Sequence, residues 1–274
     1  MTQNEGCVAK MRTELGDVVQ YALPLGDQVV ALNPLIGQTV RLEFTGFIQC
    51  VACSRLTKKS FNQGYCYPCF KKLAQCDMCI MSPERCHFAA GTCREPEWGE
   101  ANCNIDHFVY LANTSGLKVG ITRHSQIPTR WIDQGASQAL PIARVSSRYL
   151  SGLLEVQISK SVADKTAWQT MLKGAPEPIG LVAKRDEIKG LYATELDELQ
   201  NRHGLQSIQW LEDQNPVDIR FPVTAYPEKV KALNFDKQVT VEGCLLGIKG
   251  QYLIFDTGVL NIRKFGGYEL RLSY

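Results

Sequence analysis

The sequence predicts an α+β protein in which a cysteine-rich segment and a small αβ domain lie between two β-rich segments. Apolar or alternating runs near both termini predict strands. Nine of the 11 cysteines lie in residues 50–103, and residues 104–175 read strand, strand, helix, strand, helix. We therefore divide the chain at residues 1–49, 50–103, 104–175, 176–214 and 215–274, the fourth being a helical connector. The terminal segments could pack as one β module, or the last could form a small barrel of the OB type.

The composition indicates a soluble globular protein, since 45% of residues are hydrophobic and 21% are charged. No apolar run is long enough to cross a membrane. The N-terminus has neither the basic nor the apolar region of a signal peptide. We expect a cytoplasmic protein without membrane association, and the sequence leaves its oligomeric state open. Cysteines are reduced in that compartment, so metal binding explains them better than disulfides.

The N-terminal segment predicts three strands that are separated by turn residues. These strands are Val18–Ala22, Gln28–Leu32 and Thr39–Ile48, with breaks at Gly26 and between Pro34 and Gly37. Clean alternation at Arg41-Leu-Glu-Phe44 is typical of a half-buried antiparallel strand.

The first four cysteines of the cysteine-rich segment have the spacing of a zinc ribbon. Cys50 and Cys53 form one pair, and Cys66 and Cys69 form another after a gap of twelve residues. A two-residue gap lets one tight turn direct both thiolates at a tetrahedral ion, and the second pair completes the shell. Four thiolates leave no open position, so this spacing predicts a structural Zn²⁺.

The next five cysteines predict a second closed site, but their spacing is less regular. We favour four thiolate ligands for a second Zn²⁺, with Cys103 and His87 as competing candidates. The two cysteine groups could also interleave between the ions, and an iron–sulfur cluster would accept the same donors. The favoured ligands are Cys76, Cys79, Cys86 and Cys93.

The αβ domain begins with a hairpin signal. Two β-forming runs, Phe108–Ala112 and Leu117–Ile121, flank the turn sequence Asn-Thr-Ser-Gly. Pro128 is expected at the first position of a short helix that carries Arg130 and Trp131. A strand at Ile142–Ser146 follows.

A helix that carries the carboxylate Glu155 is expected after that strand. Ser151 is expected to cap it, Glu155 lies in its first turns, and its apolar pattern continues to about Met171.

These motifs resemble the GIY-YIG nuclease superfamily over roughly residues 106–175. Phe108-Val-Tyr110 matches the first signature triplet and Lys118-Val-Gly120 the second, while Arg130 and Glu155 match the helix arginine and the carboxylate. The resemblance implies an αβ domain that cuts phosphodiesters, with Mg²⁺ or Mn²⁺ on Glu155 and with Tyr110 and Arg130 arranging water and phosphate. A cysteine-rich segment joined to such a domain also resembles an uncharacterised bacterial family of unknown function.

Lys118 departs from that pattern because it replaces the second tyrosine. A lysine binds phosphate as a point charge but is a poor general base at neutral pH. Lys118 and Arg130 are therefore the candidate phosphate-binding residues, and catalysis is open. His124, in the loop after the second strand, could donate to a phosphate or act as a base.

The charge distribution places the positive field on the αβ domain. Residues 104–175 carry a balance of +4, whereas residues 1–49 and residues 176–274 each carry −2. We therefore predict a zinc-containing protein that binds DNA or RNA, with metal-dependent endonuclease activity as a further possibility. The alternative is a non-enzymatic scaffold or protein-interaction module in which zinc serves folding alone.

The remaining sequence predicts one long helix and then strands. Val182 to Arg202 carries Ile188, Leu191 and Leu196 on one face. The predicted C-terminal strands are Gln238–Gly247, Tyr252–Asp256, Val259–Ile262 and Tyr268–Leu272.

Overall fold

The computed structural model describes residues 2–162 and 166–274 and confirms the α+β class. In chain order its strands are β1 (Gln3–Cys7), β2 (Arg12–Glu14), β3 (Gln20–Leu25), β4 (Gln28–Ala31), β5 (Thr39–Ile48), β6 (His107–Asn113), β7 (Leu117–Arg123), β8 (Gln138–Val145), β9 (Ile208–Trp210), β10 (Val217–Asp218), β11 (Thr240–Lys249), β12 (Tyr252–Phe255), β13 (Gly258–Asn261) and β14 (Tyr268–Ser273). Its α-helices are α1 (Tyr67–Lys72), α2 (Pro96–Asn102), α3 (Thr129–Asp133), α4 (Arg148–Ile158), α5 (Trp168–Met171), α6 (Leu181–Leu191) and α7 (Ala193–His203).

Strands from both ends of the chain form one six-stranded antiparallel sheet, in the order β1-β14-β5-β11-β12-β13. β5 lies between β14 and β11, where Leu42 is opposite Leu272 on one side and Val241 on the other. Its alternation buries Val40 and Leu42 completely in the largest apolar core. Strands β2, β3 and β4 form a separate three-stranded sheet beside it.

The central sheet has the order β10-β8-β6-β7, with β9 also paired to β8. The predicted hairpin is confirmed as β6 and β7, with Tyr110 directly opposite Gly120. Helix α4 packs on this sheet through Leu150, Leu154 and Ile158, which belong to the second apolar core.

Four expected details of the helices are wrong. The cap of α4 is Ser147, whose hydroxyl accepts from the Leu150 N–H, because the helix begins four residues earlier than expected. Ser151 lies within α4 and donates to the Arg148 carbonyl. Pro128 precedes α3 instead of occupying its first position.

The other two corrections concern helix length. Helix α4 ends at Ile158, and part of its predicted continuation, residues 163–165, lies outside the described residues. The long connector helix is two helices that meet at Tyr192, whose ring is buried in the second core. This break leaves Leu191 58% exposed instead of on the apolar face.

Among the described residues, no helix has both the length and the apolar character needed to cross a membrane.

Candidate metal centre and cationic cleft

The first four cysteines converge on one point. Cys50 follows β5 and Cys53 lies in the next turn, while Cys66 and Cys69 lie at the start and middle of α1. The four sulfur atoms lie within 4.8 Å of one another, and Cys53 Sγ is 3.7 Å from Cys66 Sγ. A tetrahedral ion with Zn–S bonds of about 2.3 Å needs sulfur atoms about 3.8 Å apart, so this group can hold a metal ion of that kind.

The backbone around this group favours the thiolate that a metal requires. Burial opposes ionisation of Cys50, but backbone N–H groups of Cys66, Ala52 and Cys53 direct their dipoles at its sulfur and lower its pKa to about 6. The Cys66 N–H lies 3.2 Å from Cys50 Sγ. A lowered thiol pKa reduces the proton competition that a metal ion meets near neutral pH.

The remaining cysteines separate into two environments. Cys79, Cys86, Cys93 and Cys103 line one small cavity together with Asp77 and His87. Cys76, which the sequence analysis favours as a ligand of the second ion, does not line that cavity. Its thiol lies beside Asn62 and within electrostatic reach of Cys50.

The thiols around the small cavity influence one another. Burial raises the pKa of Cys79 to about 11, with additional contributions from Asp77, Cys86 and Cys103. Burial also raises the pKa of Cys103; Arg148 opposes this shift, while Cys86 and Cys93 add to it.

A larger cleft of about 420 Å³ opens beside the hairpin and α4. It brings together Lys118, Arg130 and Glu155, which the sequence analysis predicts as site residues. Three further arginines line the same cleft: Arg123 from β7, Arg148 from α4 and Arg263 from the turn before β14. Among the described residues, five cationic side chains and one carboxylate therefore line the cleft.

Neutral oxygen atoms hold the arginines of the cleft in place. Arg148 Nη2 donates to the Ile80 carbonyl at 2.7 Å, Arg263 Nε donates to Gln63 Oε1 at 2.6 Å, and Arg123 donates to Asn102. In the part of the chain that the structure describes, none of the four arginines of the cleft forms an ion pair with a carboxylate. Arg123, Arg148 and Arg263 are thus held by neutral acceptors.

Tyr110 is not among the described residues that line the cleft but packs beneath Gly120, which does. Its ring is fully buried and lies against Gly120, where an added Cβ would be 2.7 Å from the hydroxyl. The Gln134 amide links this hydroxyl to Arg130. Its nitrogen donates to Tyr110 Oη at 2.8 Å and its oxygen accepts from Arg130 Nη2 and Nε at 3.0 and 3.2 Å, since the reverse orientation would set N–H against N–H.

The environment of Tyr110 keeps its hydroxyl protonated. Burial raises the pKa of Tyr110 to about 12; Arg130 acts against this shift and Glu155 adds to it. A phenol with that pKa is neutral at physiological pH and is a weak general base.

Lys118 and His124 differ in their relation to the cleft. Lys118 is only 4% exposed, and its ammonium group lies 3.5 Å from Thr166 Oγ1 at the cleft margin. His124 is not among the described residues that line the cleft. Its ring lies 5.4 Å from that of Phe108.

The cysteine-rich segment provides one wall of the cleft through Ile80, Met81 and Pro83. This wall is pressed against α4 at Gly152, where a Cβ would lie 2.4 Å from the Glu84 nitrogen and 2.6 Å from Pro83 Cβ. The cysteine-rich segment therefore packs directly against the helix that carries Glu155.

Sequence reasoning did not single out Arg123, Arg148 or Arg263 as site residues. Arg123 lies at the end of the predicted hairpin and Arg148 at the start of the helix that carries Glu155. Their closeness in sequence to the predicted site residues could have indicated both as further site residues. Arg263 comes from the far end of the chain, and only the tertiary fold brings it to the cleft.

A family model described as a protein of unknown function, DUF2797, matches residues 37–270. No curated protein and no solved structure matches the chain.

Proposed function

The chain belongs to the DUF2797 family, whose function is unknown, so we propose a function from the site itself. We propose that the cleft binds the phosphate backbone of a nucleic acid. The observation that carries the proposal is that the described residues lining one cleft include five cationic side chains and one carboxylate. These cations come from the hairpin, α3, α4 and the C-terminal segment.

The residue types suit a ligand with several negative charges, such as a chain of phosphates, better than an apolar ligand. Four of the five cations are arginines, whose planar guanidinium groups bind two phosphate oxygens at once. Arg130 is oriented by Gln134 and Arg148 by the Ile80 carbonyl, so less conformational entropy is lost on binding. The excess positive charge in a concave surface also attracts polyanions from a distance.

A nucleic acid fits this chemistry better than an isolated phosphate. The cleft volume of about 420 Å³ exceeds what one phosphate group needs and suits a nucleotide unit of a longer strand. The resemblance of residues 106–175 to GIY-YIG nucleases supports the same substrate class. Zinc in the Cys50 group would then stabilise the segment that forms one wall of the cleft.

The residues in and behind the cleft favour binding over cleavage. The superfamily pattern needs a base or water-orienting pair, but Tyr110 is buried with a pKa of about 12 and Lys118 replaces the second tyrosine. Glu155 and Arg130 both line the cleft, so a carboxylate that could hold a divalent cation and the arginine of the superfamily pattern are retained there.

The test of binding is the affinity for labelled DNA and RNA at several salt concentrations. Lys118→Ala combined with Arg130→Ala should weaken binding and make the slope of log K against log salt shallower by about two. Each lost phosphate contact releases about one counterion fewer, which is the physical reason for the change in slope.

A matched control also removes two positive charges, but from residues that do not line the cleft. Lys184 and Arg271 are in exposed ion pairs with Glu187 and Glu5, at 2.6 and 2.8 Å. Lys184→Ala combined with Arg271→Ala should leave the slope close to that of the wild type. Equal effects of both double variants would refute the cleft as the binding site.

Cleavage is tested separately with single-stranded, duplex and branched substrates in the presence of Mg²⁺ or Mn²⁺. Any genuine activity should disappear in Glu155→Gln, which keeps the shape of the side chain but removes its negative charge. Binding without cleavage is the result we expect.

A further inference from the structure

The cavity enclosed by the later cysteines has the size and lining of a metal site. Its volume is about 10 Å³, which is close to that of one water-sized sphere. Cys79, Cys86, Cys93 and Cys103 all line it, and Phe88 and Trp98 cover its apolar sides. Four cysteines line this space, which is the number of donors that a tetrahedral thiophilic ion requires. Among the described residues, no three of them have sulfur atoms that all lie within 4.8 Å of one another, so a bound ion would draw the four turns closer together.

These four cysteines come from four separate short turns. Cys79 lies in a single-turn helix at Met78–Ile80, and Cys86 and Cys103 are the C-caps of Pro83–Arg85 and α2. Cys93 lies in the loop before α2, packed so closely on Gly99 that a Cβ there would be 3.1 Å from its sulfur. No residue of this segment between Cys76 and Cys103 belongs to any of the three apolar cores. Short turns with so little apolar burial are typically held together by a metal ion.

The cluster of Asp77, Cys79 and His87 is an alternative, since its ligand atoms lie within 4.8 Å of one another. However, both oxygens of Asp77 already have partners, one accepting from Arg94 Nε at 2.7 Å and the other from the Met78 N–H at 2.6 Å. A guanidinium beside this carboxylate disfavours a second cation there.

His87 is likewise engaged through both ring nitrogens. Its Nδ1 lies 2.9 Å from Thr92 Oγ1, and its Nε2 lies 3.5 Å from Asp77 Oδ2. Asp77, His87 and Arg94 therefore form a polar layer around the cavity. Cys76 does not line the cavity, and its thiol interacts with Asn62 instead.

We infer that this cavity is a second structural metal centre, which binds Zn²⁺ through the four thiolates of Cys79, Cys86, Cys93 and Cys103. Zinc is the divalent ion that best combines thiolate preference with a closed tetrahedral shell. The assignment replaces Cys76 by Cys103 in the ligand set that sequence spacing favoured.

This centre also joins the cysteine-rich segment to the cleft. The Cys103 carbonyl accepts from the Arg148 N–H at 2.8 Å, and the stretch between Cys79 and Cys86 contains the cleft-lining residues Ile80 and Pro83. Its metal therefore fixes the wall that contacts α4.

The first experiment measures the ion and its donors in the unaltered full-length protein. Elemental analysis should give two zinc ions per chain, and X-ray absorption at the zinc edge should show four sulfur neighbours per ion at about 2.3 Å without nitrogen. One zinc per chain, a measurable nitrogen fraction or iron in place of zinc would each overturn the assignment. This measurement needs no variant and does not depend on whether the cleft binds nucleic acid.

Variants then identify the ligands, with native mass spectrometry counting ions in the folded population. Cys93→Ser and Cys103→Ser should each reduce the count from two zinc ions to one. Cys76→Ser and His87→Ala, which change neighbours of the same segment, should keep both ions. Loss of the second ion in Cys76→Ser or His87→Ala, with retention in Cys103→Ser, would contradict the proposed ligand set. If a cysteine variant fails to fold, the absorption spectrum of the wild type still distinguishes four thiolates from a shell that includes His87 or Asp77, and the zinc count of Cys76→Ser still tests whether Cys76 is a ligand.

Discussion

Helix α4 packs at Gly152 against Pro83 and Glu84 of the cysteine-rich wall. Replacing Gly152 therefore tests the packing of the cleft. A Cβ at this position would lie 2.4 Å from the Glu84 nitrogen and 2.7 Å from the Pro83 carbonyl carbon. Both are backbone atoms, which cannot rotate away as a flexible side chain can. Overpacking of this kind typically costs about 1–3 kcal/mol.

Helix propensity opposes that cost in Gly152→Ala. Alanine in a helix interior is more favourable than glycine by up to about 1 kcal/mol. Subtracting this gain leaves an expected net loss of about 0–2 kcal/mol in the free energy of unfolding relative to the wild type, and a deficit of about 1–3 kcal/mol relative to a helical Gly→Ala change without a clash. Because the wall must move away from α4, the affinity for a labelled nucleic acid should fall in parallel.

Gly190→Ala provides the matched control, since Gly190 is also helical and an added Cβ there meets no described atom within 4 Å. It should gain up to about 1 kcal/mol and leave binding unchanged. Urea unfolding of the zinc-loaded proteins measures both values. If Gly152→Ala were as stable as Gly190→Ala, the close contact between α4 and the cysteine-rich wall would be refuted.

Three further predictions concern the support of the cleft, a buried lysine and the first metal centre. Gly120→Ala should destabilise the protein by about 1–3 kcal/mol and weaken binding, because its Cβ would displace the Tyr110 hydroxyl from Gln134; an unchanged urea midpoint would contradict this. Lys249 is fully buried, and its ammonium group donates to the Gly174 carbonyl. Burial lowers the pKa of Lys249 to about 8, so between pH 8 and 10.5 the unfolded chain binds more protons than the folded protein. Stability should therefore rise by about 2 kcal/mol from pH 8 to pH 10 relative to Lys249→Met, and parallel pH profiles of the two proteins would contradict the shift. Cys53→Ser should lose one zinc ion and with it folding free energy on the order of 10 kcal/mol, whereas Cys244→Ser, in β11, should keep every ion in the same elemental analysis.

Local patterns were sufficient to predict most of the strands, but not the short strands β1, β2, β9 and β10. The alternation in β5 and the turn between β6 and β7 depend on neighbouring residues, and both elements occur where the sequence placed them. The connector was predicted as one helix because its 3.6-residue pattern continues through Tyr192. Burial of that tyrosine among the residues of α4 and α6 outweighs the local preference for a continuous helix.

The candidate site divides in the same way between local and tertiary information. The first cysteine quartet consists of two local pairs, so its spacing alone brought out the four residues that converge. The second group depends on how four turns fold over one another, and spacing alone favoured Cys76, which lies next to the first quartet instead. Arg263 lines the cleft only because the C-terminal segment packs next to the hairpin, and no local sequence pattern predicts that packing.

The most direct test of the proposed function is the salt dependence of wild-type binding to a labelled single strand. If all five cations of the cleft contact phosphate, the slope of log K against log salt should be about −3.5, since each contact to a single strand contributes about −0.7. A slope between about −2 and −4 would agree with contacts confined to this cleft. Absence of binding to any nucleic acid at about 50 mM salt, or an affinity independent of salt, would contradict the account and favour the scaffold.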